Sequence, residues 1–364
     1  MTARQRVDRR VDRVHGIESL RALAALAVFY CHISGYWMTP EHHLPGKLPQ
    51  LLATGAHGVD LFVVISGFCL AMPVMAAGTT LPLRAFYLRR ASRLIPPYYV
   101  ALAFAAAIAM SPMFARTVAA RASVGDLVQH VLLLQTWTPS IGTINGSFWS
   151  IALEAHLYLL FPVLLVAWRR WGAMPVLATS ALLSIGWTSL AALHVATVGS
   201  AYVLPARIVE FVAGIYCAQL VGSGRAPRRA LLWLGLVVGG AGALAVSTAD
   251  IQTGTAVVWA VPCSAAVMLV AGSKRLPVLG AAPVVWFGTV SYSFYLVHQP
   301  LLLLGRDLAF RITSSPLLQF GLAATVGVAA VALCCLPLHL FVERPSHQLG
   351  RRLAKRGLVT PVLA

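Results

Sequence analysis

Long apolar stretches, separated by short connections rich in basic residues, proline and glycine, repeat along the whole chain. A helix crosses the ~30 Å hydrocarbon core of a bilayer with roughly 20 mostly apolar residues. Stretches of about that length run at 17–38, 55–77, 94–111, 147–168, 173–195, 203–222, 230–247, 254–272, 284–304 and 316–342. The pattern predicts an all-α, polytopic integral membrane protein with about ten transmembrane helices. The third and seventh stretches are short, which a tilt or a break absorbs. Between 112 and 146 an amphipathic piece, Val124 to Leu134, is suited to lying on the membrane surface. Gly235, Gly239 and Gly240 read as small residues that let helices approach closely.

Composition supports this picture. Of 364 residues 59 % are hydrophobic and only 11 % charged, and the mean hydropathy is +0.78. Soluble domains carry about 25 % charged residues, so a soluble enzyme, a disordered chain and a secreted disulfide scaffold are excluded. A formal net charge of +17 first suggests nucleic acid, but the placement of the cations argues against it. With the N-terminus inside, 21 of the 28 Lys and Arg fall on inner segments, including Arg4 to Arg13, Arg84 to Arg93, Arg225 to Arg229 and Arg344 to Arg356. Five (Lys47, Arg116, Arg121, Arg306, Arg311) fall outside. This asymmetry follows the positive-inside rule. It predicts both termini in the cytoplasm, with anionic lipid headgroups as the default partner of the charge and no nucleic acid. The chain divides into a basic segment 1–16, a membrane domain 17–345 and a basic tail 346–364. No cleavable signal peptide is expected.

The six cysteines lie in apolar stretches without CxxC spacing and read as packing residues. No His, Cys and carboxylate cluster has metal-ligand spacing, so no metal is expected. Asn145-Gly146-Ser147 matches a glycosylation sequon but sits beside a span and reads as incidental.

Ionisable groups inside spans are functional candidates because burial there is costly. They are Glu18, Asp60, Glu154, Glu210, His32, His156, His298, His339, Arg21 and Arg207. Arg207 and Glu210, three apart on one helix, read as a structural pair; His156 and His339 also read as structural. Glu18 and Arg21 share that spacing at the cytoplasmic mouth of the first span, within reach of a ligand. Arg21 and His32 are eleven residues apart, about three turns, so they share a face roughly 16 Å apart. A fixed cation near the cytoplasm and a titratable imidazole deeper in suit a long anionic ligand acted on at its far end. His32, His298 and Glu154 also share one expected depth, about 20 Å from the inner edge. In the run from Phe86 to Pro96, Arg90 and Arg93 share a face. They are either a positive-inside flank or a phosphate clamp, since guanidinium forks suit phosphate oxygens.

These motifs resemble the membrane acyltransferase-3 family of O-acyltransferases from Ile17 to Pro345. The resemblance rests on six elements in order. They are Gly16-Ile17-Glu18-Ser19-Leu20-Arg21 with His32; Gly58-Val59-Asp60-Leu61-Phe62 running to Gly67-Phe68; Arg90-Ala91-Ser92-Arg93 with Pro96 and Tyr98; Ser147-Phe148-Trp149 through Glu154 with Tyr158 and Pro162; Ser291-Tyr292-Ser293-Phe294-Tyr295 through His298; and Glu343-Arg344-Pro345. The resemblance implies transfer of an acetyl or other short acyl group from cytoplasmic acyl-coenzyme A to a hydroxyl of a sugar or lipid-linked glycan, such as lipopolysaccharide or exopolysaccharide. Some members acylate macrolides instead. It implies a plasma-membrane location, the bacterial inner membrane. Arg21, Arg90 and Arg93 look like coenzyme A contacts, with Glu18 beside them. His32 looks like the base or acyl acceptor, with Glu154 and His298 as supporting catalytic residues. Asp60, Tyr158 and Tyr295 are candidates to bind substrate. Relatives often carry an extracytoplasmic esterase-like domain, which is not expected here.

A hydroxyl is a weak nucleophile near neutral pH, and a neutral imidazole can take its proton as it attacks a thioester. Direct attack and a covalent acyl-His32 relay both fit. The competing class is a proton-coupled transporter or flippase. Against it, no internal repeat relates the two halves. A lipid-binding scaffold is a third reading, but it gives no reason for Arg21 and His32 to be in register.

Overall fold

The computed structural model describes residues 3–36, 46–77, 81–111, 122–193, 201–249, 251, 253–273 and 277–356. Arg116, Arg121, Lys274, Arg275 and the side chains of the N-terminal arginines up to Arg13 lie outside what is described. In chain order the helices are α1 (Ala3–Tyr36), α2 (Leu48–Ala53), α3 (Gly58–Ala77), α4 (Leu83–Ala109), α5 (Val124–Val131), α6 (Trp149–Trp171) and α7 (Ala173–Ala192). They continue with α8 (Leu204–Gly222), α9 (Arg229–Thr248), α10 (Thr255–Ala271), α11 (Ala282–Ile312), α12 (Pro316–Leu322), α13 (Val328–Pro337) and α14 (Arg344–Arg356). Among the described residues there is no strand.

Eight helices among the described residues are long and apolar enough to cross a membrane. They match eight of the ten expected stretches, and the protein is an all-α polytopic membrane protein. The other two stretches are helical but fall short for different reasons. Helix α10 is apolar but has 17 residues. Helix α11 has 31 residues, and its Thr289, Ser291, Ser293, His298 and Gln299 dilute its apolar character. Prolines interrupt α3, α4, α6, α10 and α11 without ending them. Membrane helices tolerate this because neighbouring groups satisfy the freed backbone.

The chain forms two compact units. Unit 1 comprises Met1–His32, Pro45–Thr79 and Leu164–Ser291; unit 2 comprises Ile33–Leu44, Thr80–Val163 and Tyr292–Ala364. In unit 1, α3 packs along α8, with α7 and α10 flanking α8 and α9 lying on α10. The α3–α8 contact is backbone against backbone: Gly67 meets Phe211, and Gly214 meets Val64, leaving no room for a Cβ at either glycine. Among helices that lack a hydrophobic drive to associate, such small residues permit the close dispersion contacts that join them. Gly239 on α9 faces Val261 on α10, in keeping with its expected packing role. Helix α8 ends in a Schellman turn, with Gly224 at φ +72°. There Arg225 N–H donates to Leu220 O at 2.8 Å and Gly224 N–H to Val221 O at 3.3 Å.

In unit 2, α14 packs along α4, where Gly350 lies against Ser92. The expected tail is therefore helical through Arg356. Phe86 meets Phe161 at 5.4 Å between ring centroids. Tyr98, fully buried, donates to His130 O at 2.8 Å. The expected amphipathic piece is α5, opened by a capping box: Asp126 N–H donates to Ser123 Oγ, while Ser123 N–H donates to Asp126 Oδ2 at 2.7 Å. It closes on Leu133, a non-glycine residue at φ 58°, a conformation that costs about 1–2 kcal/mol. The sequon is structural: Asn145 is 3 % exposed, its amide donates to Leu296 O and its Oδ1 accepts from Ser147.

Two outcomes follow from this packing. Gly214→Leu forces α3 and α8 apart and is expected to cost about 3 kcal/mol, read as a lower unfolding temperature in detergent, whereas Gly186→Leu, in open space, leaves it unchanged. Hydrogen bonds from the Ser123 hydroxyl, the Ser140 hydroxyl and the Ser123 N–H hold the Asp126 carboxyl down at about 2. Its folded value lies below the unfolded one of about 3.9. The contribution to α5 is therefore complete above pH 4 and is lost as the pH falls through about 2, measurable as faster exchange of α5 amides in wild type but not in Asp126→Asn.

Candidate active site

In unit 1 the first motif lies on α1. Arg21 Nη1 pairs with Glu18 Oε1 at 2.8 Å, as the i,i+3 spacing requires, and Arg21 Nη2 approaches Cys69 Sγ at 3.9 Å. Both side chains of the pair are mostly buried. The Ser19 hydroxyl donates to Leu279 O, and Gly288 of α11 lies against the Glu18 backbone, so the Arg21 turn is anchored. His32 is three turns further along the same continuous helix and half-buried.

Asp60, in the first turn of α3, is fully buried. Its Oδ1 accepts from Arg207 Nη1 at 2.8 Å, and its Oδ2 lies 3.1 Å from His57 Nδ1. Arg207 also holds Glu210 Oε1 at 3.0 Å and donates through Nε to Ala201 O. The expected Arg207–Glu210 pair is present, and a third member joins it from another helix.

In unit 2 the structure brings Arg90, Glu154 and Tyr158 together. The Arg90 guanidinium lies 5.7 Å from the Tyr158 ring centroid, and the Tyr158 hydroxyl donates to Glu154, one turn back on α6. The Tyr295 hydroxyl donates to Ser147 O at 3.0 Å and accepts from Ser150 at 2.7 Å. His298 is 1 % exposed, and its Nδ1 lies 2.6 Å from Tyr295 O. A carbonyl only accepts, so Nδ1 carries a proton. The ring stacks on Phe294, with 3° between planes.

Several participants escaped sequence reasoning. Glu343 accepts from Ser293 at 2.6 Å and lies 3.0 Å from His339 Nδ1, which ties two of the recognised motifs to each other. His347 lies among Arg93, Arg351, Arg90 and Glu343. This groups the α4 arginines with residues of α14 that sequence alone treats as tail charge. Their i,i+4 spacing on an amphipathic helix was the available signal. Arg351 also lines, with Gln348, Arg352 and Lys355, an open basic hollow. Among the described residues no group of three or more His, Cys, Asp or Glu could hold a metal.

A family model described as an acyltransferase domain, Acyl_transf_3, matches residues 14–339. The chain belongs to the acyltransferase-3 family. Its similarity to acyltransferase MdmB of Streptomyces mycarofaciens is 29 % identity over 377 residues, covering 94 % of each chain. Exopolysaccharide production protein ExoZ of Rhizobium meliloti is 26 % identical, over 85 % of this chain and 95 % of its own. Peptidoglycan O-acetyltransferase OatA of Listeria monocytogenes is 25 % identical, over 48 % of this chain and 28 % of its own. No solved structure matches the chain. The protein is an integral-membrane O-acyltransferase that uses an acyl donor, and a carrier without chemistry is set aside.

Removing one partner of a buried ion group leaves an uncompensated charge, at a cost of about 3–5 kcal/mol. Arg207→Ala is expected to lower the unfolding temperature far more than Arg84→Ala, since Arg84 is exposed. Adding Asp60→Asn and Glu210→Gln to Arg207→Ala recovers part of that loss.

Proposed function

We propose that the protein moves an acetyl or similar short acyl group from cytoplasmic acyl-coenzyme A to a hydroxyl of a glycan, with His32 as general base. The observation that carries this reading is the α1 stripe: an anchored Arg21 paired to Glu18 with His32 three turns deeper. A phosphate-bearing donor lies along it with its thioester towards His32. Arg21 is a phosphate contact on this stripe; in unit 2, Arg90 and Arg93 are phosphate contacts in their own right, and their grouping with His347 and Arg351 supports an anion there.

His32 Nε2 or Nδ1 takes the acceptor hydroxyl proton as that oxygen attacks the thioester carbonyl. The C–O bond forms, the C–S bond breaks, and the departing thiolate receives the proton. Glu154, aligned through Tyr158, and His298 support the catalysis, with Tyr295 beside His298 as a substrate contact. The names of two relatives refer to peptidoglycan and exopolysaccharide, which supports a glycan acceptor over a macrolide. The basic connections favour cytoplasmic termini in a bacterial inner membrane, with anionic lipids around them.

In detergent-purified protein given acyl-coenzyme A and glycan acceptor, His32→Ala is expected to lower turnover by about 10²–10⁴-fold with donor affinity unchanged. Arg21→Ala and Arg93→Ala each weaken donor binding by about 10- to 100-fold, the loss of one charge-assisted hydrogen bond. Absence of acyl-coenzyme A binding by wild type overturns the donor assignment; full turnover by His32→Ala overturns the base.

A further inference from the structure

At one end of unit 1, four side chains from three helices form a hydrogen-bonded line that acyl transfer by His32 does not use. His57 immediately precedes α3, Asp60 is in its first turn, Ser247 is near the end of α9 and Trp259 is in the first turns of α10. Ser247 Oγ lies 2.9 Å from His57 Nε2, and His57 Nδ1 lies 3.1 Å from Asp60 Oδ2. A carboxylate oxygen accepts, so Nδ1 carries a proton, and in the neutral imidazole the Nε2 lone pair faces the serine. Arg207 holds the other Asp60 oxygen and fixes the carboxylate.

Trp259 completes the arrangement in two ways. Its ring stacks on His57 at 4.1 Å with 14° between planes, and its Nε1–H donates to Ser247 Oγ at 3.0 Å. The imidazole is thereby held in plane and the serine oxygen is held in place. The Ser247 proton has two acceptors, Ala243 O one turn back at 2.9 Å and His57 Nε2 at the same distance. The bond to Ala243 is what any helical serine makes. It does not account for an imidazole aligned on the serine with a buried carboxylate behind it. Exposure is graded as a nucleophilic site needs: Ser247, His57 and Trp259 are half-buried, Asp60 fully buried.

We propose that Ser247, His57 and Asp60 form a second acyl-handling site whose substrate is an acyl oxyester, with Ser247 as nucleophile, His57 as base and Asp60 as the residue that positions His57. Ser247 Oγ bonds to the acyl carbon while its proton passes to His57 Nε2. The bond from that carbon to the alcohol oxygen breaks, and the alcohol leaves with the proton. Water then attacks the acyl-serine and gives a proton to His57. The carboxylic acid departs, and Ser247 Oγ regains its proton from His57. The site shares no residue with the base or phosphate contacts assigned above, so it stands or falls independently of them.

The test treats the detergent-purified full chain with a fluorophosphonate probe, maps the adduct by mass spectrometry, and follows p-nitrophenyl acetate hydrolysis. The expected result is an adduct on Ser247 that is absent in Ser247→Ala. Labelling and hydrolysis should slow by about 100-fold or more in His57→Gln. Asp60→Asn should also shift the pH profile of labelling, which loss of packing alone does not do. Wild type that stays unlabelled at Ser247 while eluting as a single folded species overturns the proposal, as does labelling unaffected by His57→Gln. Acyl-coenzyme A turnover is measured on the same samples. Label with no acyl-coenzyme A binding overturns the donor assignment and keeps this proposal; acyl-coenzyme A turnover without label overturns this proposal and leaves the donor assignment standing.

Discussion

Arg207 sits between two buried carboxylates, Glu210 on its own helix and Asp60 on α3. One guanidinium nitrogen serves both, at 2.8 Å to Asp60 and 3.0 Å to Glu210, and each carboxylate has a second oxygen that looks for another donor. Asp60 finds one in His57, and that requirement sets the orientation of the imidazole. Buried ion groups add little net stability but specify which elements meet and in what register. Here the specification is matched by shape: Gly67 and Gly214 let α3 and α8 come together backbone to backbone, which brings Asp60 to Arg207. A change that spreads the two helices breaks the ion group, and a change in the ion group removes the reason for the helices to keep this register.

Unit 2 solves the same problem with hydroxyl groups instead of charges. Tyr98 donates to His130 O, Tyr292 to Leu94 O, Tyr295 to Ser147 O and Ser293 to Glu343. Each places a polar group in an apolar setting and satisfies it by reaching another segment, so each joins two parts of the chain. That accounts for the composition of the Ser291 to His298 motif. Its serines and tyrosines lower the hydropathy of α11, and they hold α4, the loop before α6 and the last helices to α11. His298 benefits directly, because the carbonyl of Tyr295 fixes its protonated nitrogen.

The helices were legible because twenty apolar residues in a row have few other fates, and pairs three apart on one helix were legible because geometry fixes them. Glu18–Arg21 and Arg207–Glu210 are of that kind. The contacts that sequence did not reveal link residues far apart in the chain: Asp60 and Arg207 are separated by 147 positions, His57 and Ser247 by 190. Which helices are neighbours is decided by glycine contacts and by satisfaction of buried polar groups, and neither leaves a periodic trace.

The basic residues near α4 admit two readings, topological flank or phosphate clamp, and the two make different demands on their arrangement. The positive-inside rule counts charges on a connection and is indifferent to whether they converge. Solvated flanking arginines gain by spreading apart, since like charges repel. Here α14 packs along α4, and Arg90, Arg93, Arg351 and Glu343 all act electrostatically on His347, while Glu154 lies beside Arg90 through Tyr158. Packing Gly350 against Ser92 holds that convergence in place. Converging cations raise the local positive potential, which favours an anion. A donor bearing several phosphates is an anion of that kind.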